Sequence, residues 1–185
     1  NKTVTGKDLS RIYLEQSKLM NVTFIGCSFE QAILTRGDFQ EVVFKDCDFS
    51  KANLGDTKLN NVRFDSCNMD ETVLSSARIN STTFYNCNFV QNIISKAQMI
   101  NSVFDTSSFL GVIFEGGAIN QTQFKSTTLE RVIAQSVEWD QVKIDDSSIV
   151  RCIWIQSTLK EMSITKTTGD KAFLGSGTTV YKAKV

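Results

Sequence analysis

Large apolar residues recur at every fifth position from Val4 to Ile164. The series opens Val4, Leu9, Leu14, Leu19, Phe24, Phe29 and closes Ile144, Ile149, Trp154, Leu159, Ile164. Of its 33 positions, 32 hold a large apolar side chain, and Ala134 is the exception. No slip or insertion interrupts it. Two residues before each of these centres the side chain is usually small, as at Cys27, Ala32, Gly37, Val42, Cys47 and Ala52. The other three positions are mostly polar. A helix cannot produce this, because a strict five-residue step carries the apolar residue around every face of a helix with about 3.6 residues per turn. A plain strand alternates with period two and cannot either. The pattern predicts a coil that turns a corner every five residues, with the centre and the small residue pointing inward.

The segments Cys47-Asp48-Phe49-Ser50-Lys51 and Ala52-Asn53-Leu54-Gly55-Asp56 resemble the pentapeptide-repeat family. The resemblance covers Val4 to Ile164 and implies an all-β fold, a right-handed quadrilateral parallel β-helix of about eight coils. A further period of 20 agrees with four repeats per coil: Phe24, Phe44, Phe64, Phe84, Phe104 and Phe124 form one column, and Cys27, Cys47, Cys67 and Cys87 another. We read residues 1–164 as the β-helix and 165–185, with Gly169, Gly175 and Gly177, as a C-terminal cap and exit segment. Such a rod has two open ends that must be covered.

Composition sharpens this picture. Twelve of the thirteen Phe lie in the five-residue register. All five cysteines occupy the small-residue site, so they read as reduced, small hydrophobes rather than a disulfide framework or a zinc site. The chain has no Pro, which fits a backbone whose N–H groups are wanted by a ladder. It has no His, which excludes His-based catalysis and His metal ligation. Twenty basic residues balance twenty acidic ones, against both a phosphate-neutralising domain and an acidic DNA mimic. No apolar run reaches the roughly 18–20 residues of a membrane helix, and the first residues carry no signal-peptide core. The chain opens at Asn1 without Met, and the expectation is a piece of a longer protein. The Asn-x-Ser/Thr sequons at Asn1, Asn21, Asn80 and Asn120 fit chance in so polar a chain.

Candidate chemistry is sparse. The carboxylate pairs Glu138/Asp140 and Asp145/Asp146 fall on an outer face and at a corner, and no cofactor, metal or catalytic residue is expected. The anomaly is the residue just before the centre on one side of the coil, where the family usually places Asp or Asn. Here the column reads Tyr13, Ile33, Asn53, Val73, Ile93, Ile113, Ile133, Ile153. Ile and Val are good strand formers on a solvated face. A column confined to one face points instead to a packing surface. Its seven apolar members are the candidate partner-binding residues.

The reading that follows is a non-catalytic recognition or scaffold domain. Its partner is a protein: an adjacent domain of the same polypeptide, a second copy or a host protein. No nucleic acid, membrane or small-molecule substrate is implied. The Phe- and Cys-rich repeats are similar to those of type III secreted effectors of enteric bacteria, including HECT-like ubiquitin ligases with a β-helix ahead of the catalytic domain. That resemblance implies delivery into the host cytoplasm and recruitment of host targets, with any ligase chemistry in a part of the parent protein not present here. Without it, the expected location is cytoplasmic. The alternatives are a topoisomerase-binding DNA mimic, as in the quinolone-resistance members of the family, and an enzyme acting through the rod itself. Zero net charge and the Ile column weigh against the first, and no constellation supports the second.

Overall fold

A computed structural model describes residues 2–182 of the chain. They form a four-faced parallel β-helix, with no α-helix among the described residues. The first face carries the Phe24–Phe44–Phe64 column and the fourth the Leu19–Phe39–Leu59 column, and each stacks nine strands. The second face carries Phe29, Phe49 and Met69, and the third Leu34, Leu54 and Leu74. Each of these two has five regular strands, beginning at Asn88 and Ile93. Below them, single bridges such as Ser28↔Asp48 and Ile33↔Asn53 continue the same stacking.

The register is 20 residues per coil through most of the rod, as in Phe104↔Phe124 and Trp139↔Leu159. The ladder runs on beyond Ile164. Ile149 pairs with Gly169, Trp154 with Leu174, and Leu159 with Val180. The last step spans one extra residue, taken up around the turn at Ser176 and Gly177. The chain beyond the uninterrupted register is therefore still strand, a ninth and looser coil whose centre positions are Gly169, Leu174 and Val180.

Each corner is made by the second residue after a centre, held in the left-handed region: Arg11 at φ 58°, Gln31 at 57°, Lys51 at 58°, Arg131 at 54°. Few of these residues are Gly, although a side chain disfavours that region by about 1–2 kcal/mol. The corner is held because its N–H joins the ladder, as Arg11 N–H donates to Glu30 O at 2.8 Å and Gln31 N–H to Ser50 O at 2.9 Å. Nothing in the identity of Arg, Gln, Lys or Ser signals a left-handed corner; the stacking imposes it.

The core is a set of ring ladders. Phe64 and Phe84 stack at 4.8 Å, Phe29 and Phe49 at 4.9 Å, and the two columns meet edge-on, as Phe44 and Phe49 do at 4.9 Å. Both arrangements suit the ring quadrupole. Each fully buried ring contributes about 1.5–3 kcal/mol relative to exposure. Ala134, the exception in the series, sits between Phe114 and Trp154 in its column. Trp139 of the same coil is fully buried and packs 6.0 Å from Phe114, the centre directly below Ala134.

Candidate functional site

The cysteine column runs up one inner corner, and all five cysteines are free and buried. The column continues upward as Ser107, Thr127, Ser147 and Thr167. Thiols and hydroxyls do the same job there. Cys47 Sγ–H donates to Phe24 O at 3.6 Å and Lys45 O at 3.3 Å. Ser107 Oγ–H donates to the equivalent carbonyls of Phe84 and Asp105 at 3.2 and 3.1 Å. Contact with the Cys47 thiol pulls the Cys67 pKa down, but the Cys87 thiol and burial outweigh it and push it up to about 12. The neighbouring Cys67 thiol and burial also raise that of Cys47. A thiol held protonated and walled in by rings is a poor nucleophile.

The paired carboxylates do not converge on a cleft. Asp140 accepts from Lys160 Nζ at 3.2 Å, and Asp145 from Thr165 Oγ1 at 2.6 Å. Asp146 is a corner residue at φ 50° that accepts from Ser126 Oγ at 3.3 Å. These contacts tie one coil to the next. Among the described residues no three His, Cys, Asp or Glu side chains are grouped as a metal site requires. No helix of the described chain is long and apolar enough to cross a membrane.

The apolar column is brought together on the third face. Ile93 pairs directly with Ile113, Ile113 with Ile133, and Ile133 with Ile153. Below them, Tyr13↔Ile33, Ile33↔Asn53 and Asn53↔Val73 continue the column. Tyr13 and Ile93 are the most open, at 65% and 54% exposure, while Ile113, Ile133 and Ile153 are half-buried by one another.

Two additions were not foreseen from the sequence. The column extends one coil further to Phe173, which pairs with Ile153 and is 60% exposed. Phe173 is the one Phe outside the five-residue register, and its offset from the centre at Leu174 is the signal that could have placed it. The column also widens around a corner. Val90, Leu110 and Val150 end strands of the second face and lie next to Ile93, Ile113 and Ile153 across the corner residues Gln91, Gly111 and Arg151. Gly111, at φ 65°, makes that corner in its coil without a side chain.

Among the described residues the ladder on this face has one break. No bridge joins Val73 to Ile93, although Asn68↔Asn88 joins the same two coils on the second face. Asn92 fills the gap from inside. Its Nδ2 donates to Met69 O at 2.7 Å and Thr72 O at 2.9 Å, while its buried Oδ1 has no partner. The apolar column is thus divided into a lower part and an upper part.

A family model described as "Pentapeptide repeat region" matches residues 17–92. No curated protein matches the chain. Among solved structures the chain is similar to HetL, a pentapeptide repeat protein involved in heterocyst differentiation regulation from the cyanobacterium Nostoc. The TM-score is 0.65 at 13% identity, over 96% of this chain and 84% of that one. It is also similar to a trypsin-treated form of QnrB1, a plasmid-mediated fluoroquinolone resistance protein. There the TM-score is 0.51 at 16% identity, over 96% of this chain and 88% of that one. At such identities the likeness is one of fold alone.

Proposed function

We propose that this rod, whose residues 17–92 match the pentapeptide-repeat model, is a non-catalytic recognition module that holds a protein partner against its third face. The observation that carries this reading is the apolar column from Ile93 to Phe173, outward-facing and continuous in the ladder. Contiguous exposed apolar surface of this kind usually marks a contact. At the upper end an apolar pocket opens over Trp154, Leu159, Met162, Leu174 and Val180, but it lacks the cluster of placed polar groups that orients a small molecule.

The finer form of the reading makes the rod the target-recognition part of a secreted bacterial effector. Its support is the likeness of the Phe- and Cys-rich repeats to those of that group. A DNA-mimicking role fits less well, because the upper edge of the column carries Arg131, Arg151 and Lys171 where a phosphate mimic would carry carboxylates.

The test is a double variant, Ile93→Asp with Ile113→Asp. Both side chains point outward, so the β circular-dichroism spectrum should be retained. Cross-linking capture of the partner by the intact protein should fall by about tenfold or more, since each change buries a charge against an apolar surface. Capture equal to that of the unsubstituted protein sinks the proposal.

A further inference from the structure

We propose that the upper part of this face, from Ile93 to Phe173, takes an amphipathic α-helix of the partner that carries acidic residues along one flank. This rests on the reading of that face as the docking surface, and it names the kind of partner. The first argument is spacing. The apolar side chains recur along the rod axis at the interstrand distance of about 4.8 Å. A helix lying along that axis presents side chains at i, i+3/i+4 and i+7 with a repeat of about 5.4 Å. Five rungs span about 19 Å, the length of roughly 13 helical residues. A strand laid the same way would present same-face side chains about 6.8 Å apart and fall out of step after one rung.

The second argument is hydrogen bonding. The column lies on the face of a sheet whose strands are paired from Ile93 upward, as in Ile113↔Ile133. It offers side chains, not a free backbone edge. An added strand would gain no ladder there, whereas a helix has already satisfied its own backbone.

The third argument is charge, and it sets the flank. The corner between the second and third faces reads Gln91, Gly111, Arg131, Arg151, Lys171 going up the rod. Three cations in successive coils therefore line one edge of Ile133, Ile153 and Phe173. Arg131 lies 3.6 Å from the half-buried Glu130. Among the described residues no carboxylate is within ion-pair distance of Arg151 or Lys171. Like charges stacked in register repel one another, and acidic side chains on a docked helix would relieve that. The opposite corner, Lys96, Gly116, Ser136 and Gln156, carries no such stack, so the complement is one-sided.

The probes are two synthetic amphipathic helices of roughly 14 residues. They share one leucine stripe and carry either glutamate or lysine on the same flank. Binding to the full chain is read by fluorescence anisotropy. The glutamate helix should bind ~tenfold tighter, with the difference shrinking at high salt. Arg151→Glu with Lys171→Glu should invert the preference, and Ile133→Asp should weaken both helices, with circular dichroism checking the fold of each variant. Equal binding of the two helices, binding of neither, or a preference unmoved by the charge reversal overturns the proposal. If the double variant at Ile93 and Ile113 loses its partner while neither helix binds, the helix is wrong and the docking face stands. Unchanged partner capture overturns the docking face itself.

Discussion

The lower four coils and the upper five differ in how they turn. On the second and third faces below Cys87, corners close with a tight hydrogen bond from the small residue back to the preceding centre. Ala32 N–H donates to Phe29 O at 2.9 Å, Ala52 to Phe49 at 2.9 Å and Ala77 to Leu74 at 3.1 Å. From Asn88 upward these bonds are gone and every face carries three-residue strands up to the last coil. On the second face the residue in the small site goes with the difference, whereas on the third face Ala97, Gly117 and Ser157 stay open although Ser17, Gly37 and Ala77 close. The closed corners use Ile12, Ser17, Ala32, Gly37, Ala52, Thr57, Thr72 and Ala77. On these two faces the corners with Val in that site, at 112, 132 and 137, do not close in this way. The tight corner has little room. A Cβ on Gly37 would lie 2.7 Å from Phe39 Cε1. Valine is stiff, prefers extended backbone and widens the corner.

Polar side chains reinforce the split. In the lower coils Asp48 Oδ1 accepts from Ser50 N–H at 2.9 Å, Asn53 Oδ1 from Gly55 at 2.9 Å and Asn68 Oδ1 from Asp70 at 3.0 Å. These contacts favour turns over strands. In the upper coils the residue after the centre on the second face becomes Val90, Leu110 and Val150, a strand former or large apolar group, in three of five coils, with Glu130 and Asp170 in the other two. One five-residue rule therefore produces two coil shapes, and they meet badly on one face only. The missing Val73–Ile93 bridge and the Asn92 amide inside it mark that misfit. The flat, fully strand-like upper face is the one suited to docking.

The comparison can be broken at several levels. The largest effect is expected in the upper core, where the fully buried Trp139 packs against Phe114, Phe124 and Trp154. Trp139→Ala should cost about 3–5 kcal/mol in urea unfolding, with exchange of backbone amides rising most in the upper coils. A loss under about 1 kcal/mol would mean that the core there is not close-packed. Next comes the junction. Asn92→Ala leaves the buried carbonyl of Thr72 without its donor, while Met69 O keeps the Thr72 N–H, and should cost about 1–3 kcal/mol. Hydrogen exchange should accelerate at Leu74 and Ile93 before either end; uniform exchange along the rod would remove the junction from the account. Ala52→Val should open a lower corner and cost about 1–3 kcal/mol, while Val112→Ala should not close an upper one, because Leu110 and Ile113 still favour strand.

The smallest effect is on pH. The Cys67 thiol is raised in the fold from 9.0 to about 12. The unfolded chain loses that proton first, so the stabilisation is complete below about pH 9 and declines as pH rises toward about 12. Cys67→Ser, which puts into the lower column the hydroxyl found in the upper one, should flatten this decline. An identical alkaline slope in the two proteins would show that the column does not control it.

Much of this rod was legible in the sequence, since Val4 to Ile164 repeats without a slip and side-chain burial follows the same arithmetic. The pairing of identical residues, such as Phe44 with Phe64, comes from the period of 20 alone. The corners were not legible, because left-handed backbone at Arg11 or Lys51 is imposed by the ladder and not by the residue. The continuation past Ile164 was hidden because Gly169 replaces the centre residue and one extra residue shifts Val180. The apolar column was visible from Tyr13 to Ile153. Its extension to Phe173 and its widening by Leu110 needed the pairing on the third face and the bend at Gly111. The cation stack of Arg131, Arg151 and Lys171 lay in the same period and emerged only once the column gave it an edge.

The most direct test uses both regions at once. A photo-crosslinking amino acid is placed in one copy of the protein in place of Ile33 and in another in place of Ile133, two sites in the same column on either side of the junction. Adducts with the partner are then mapped by mass spectrometry. The account predicts strong adducts from position 133 and few or none from position 33. Equal labelling at the two positions, or labelling at 33 alone, would contradict it.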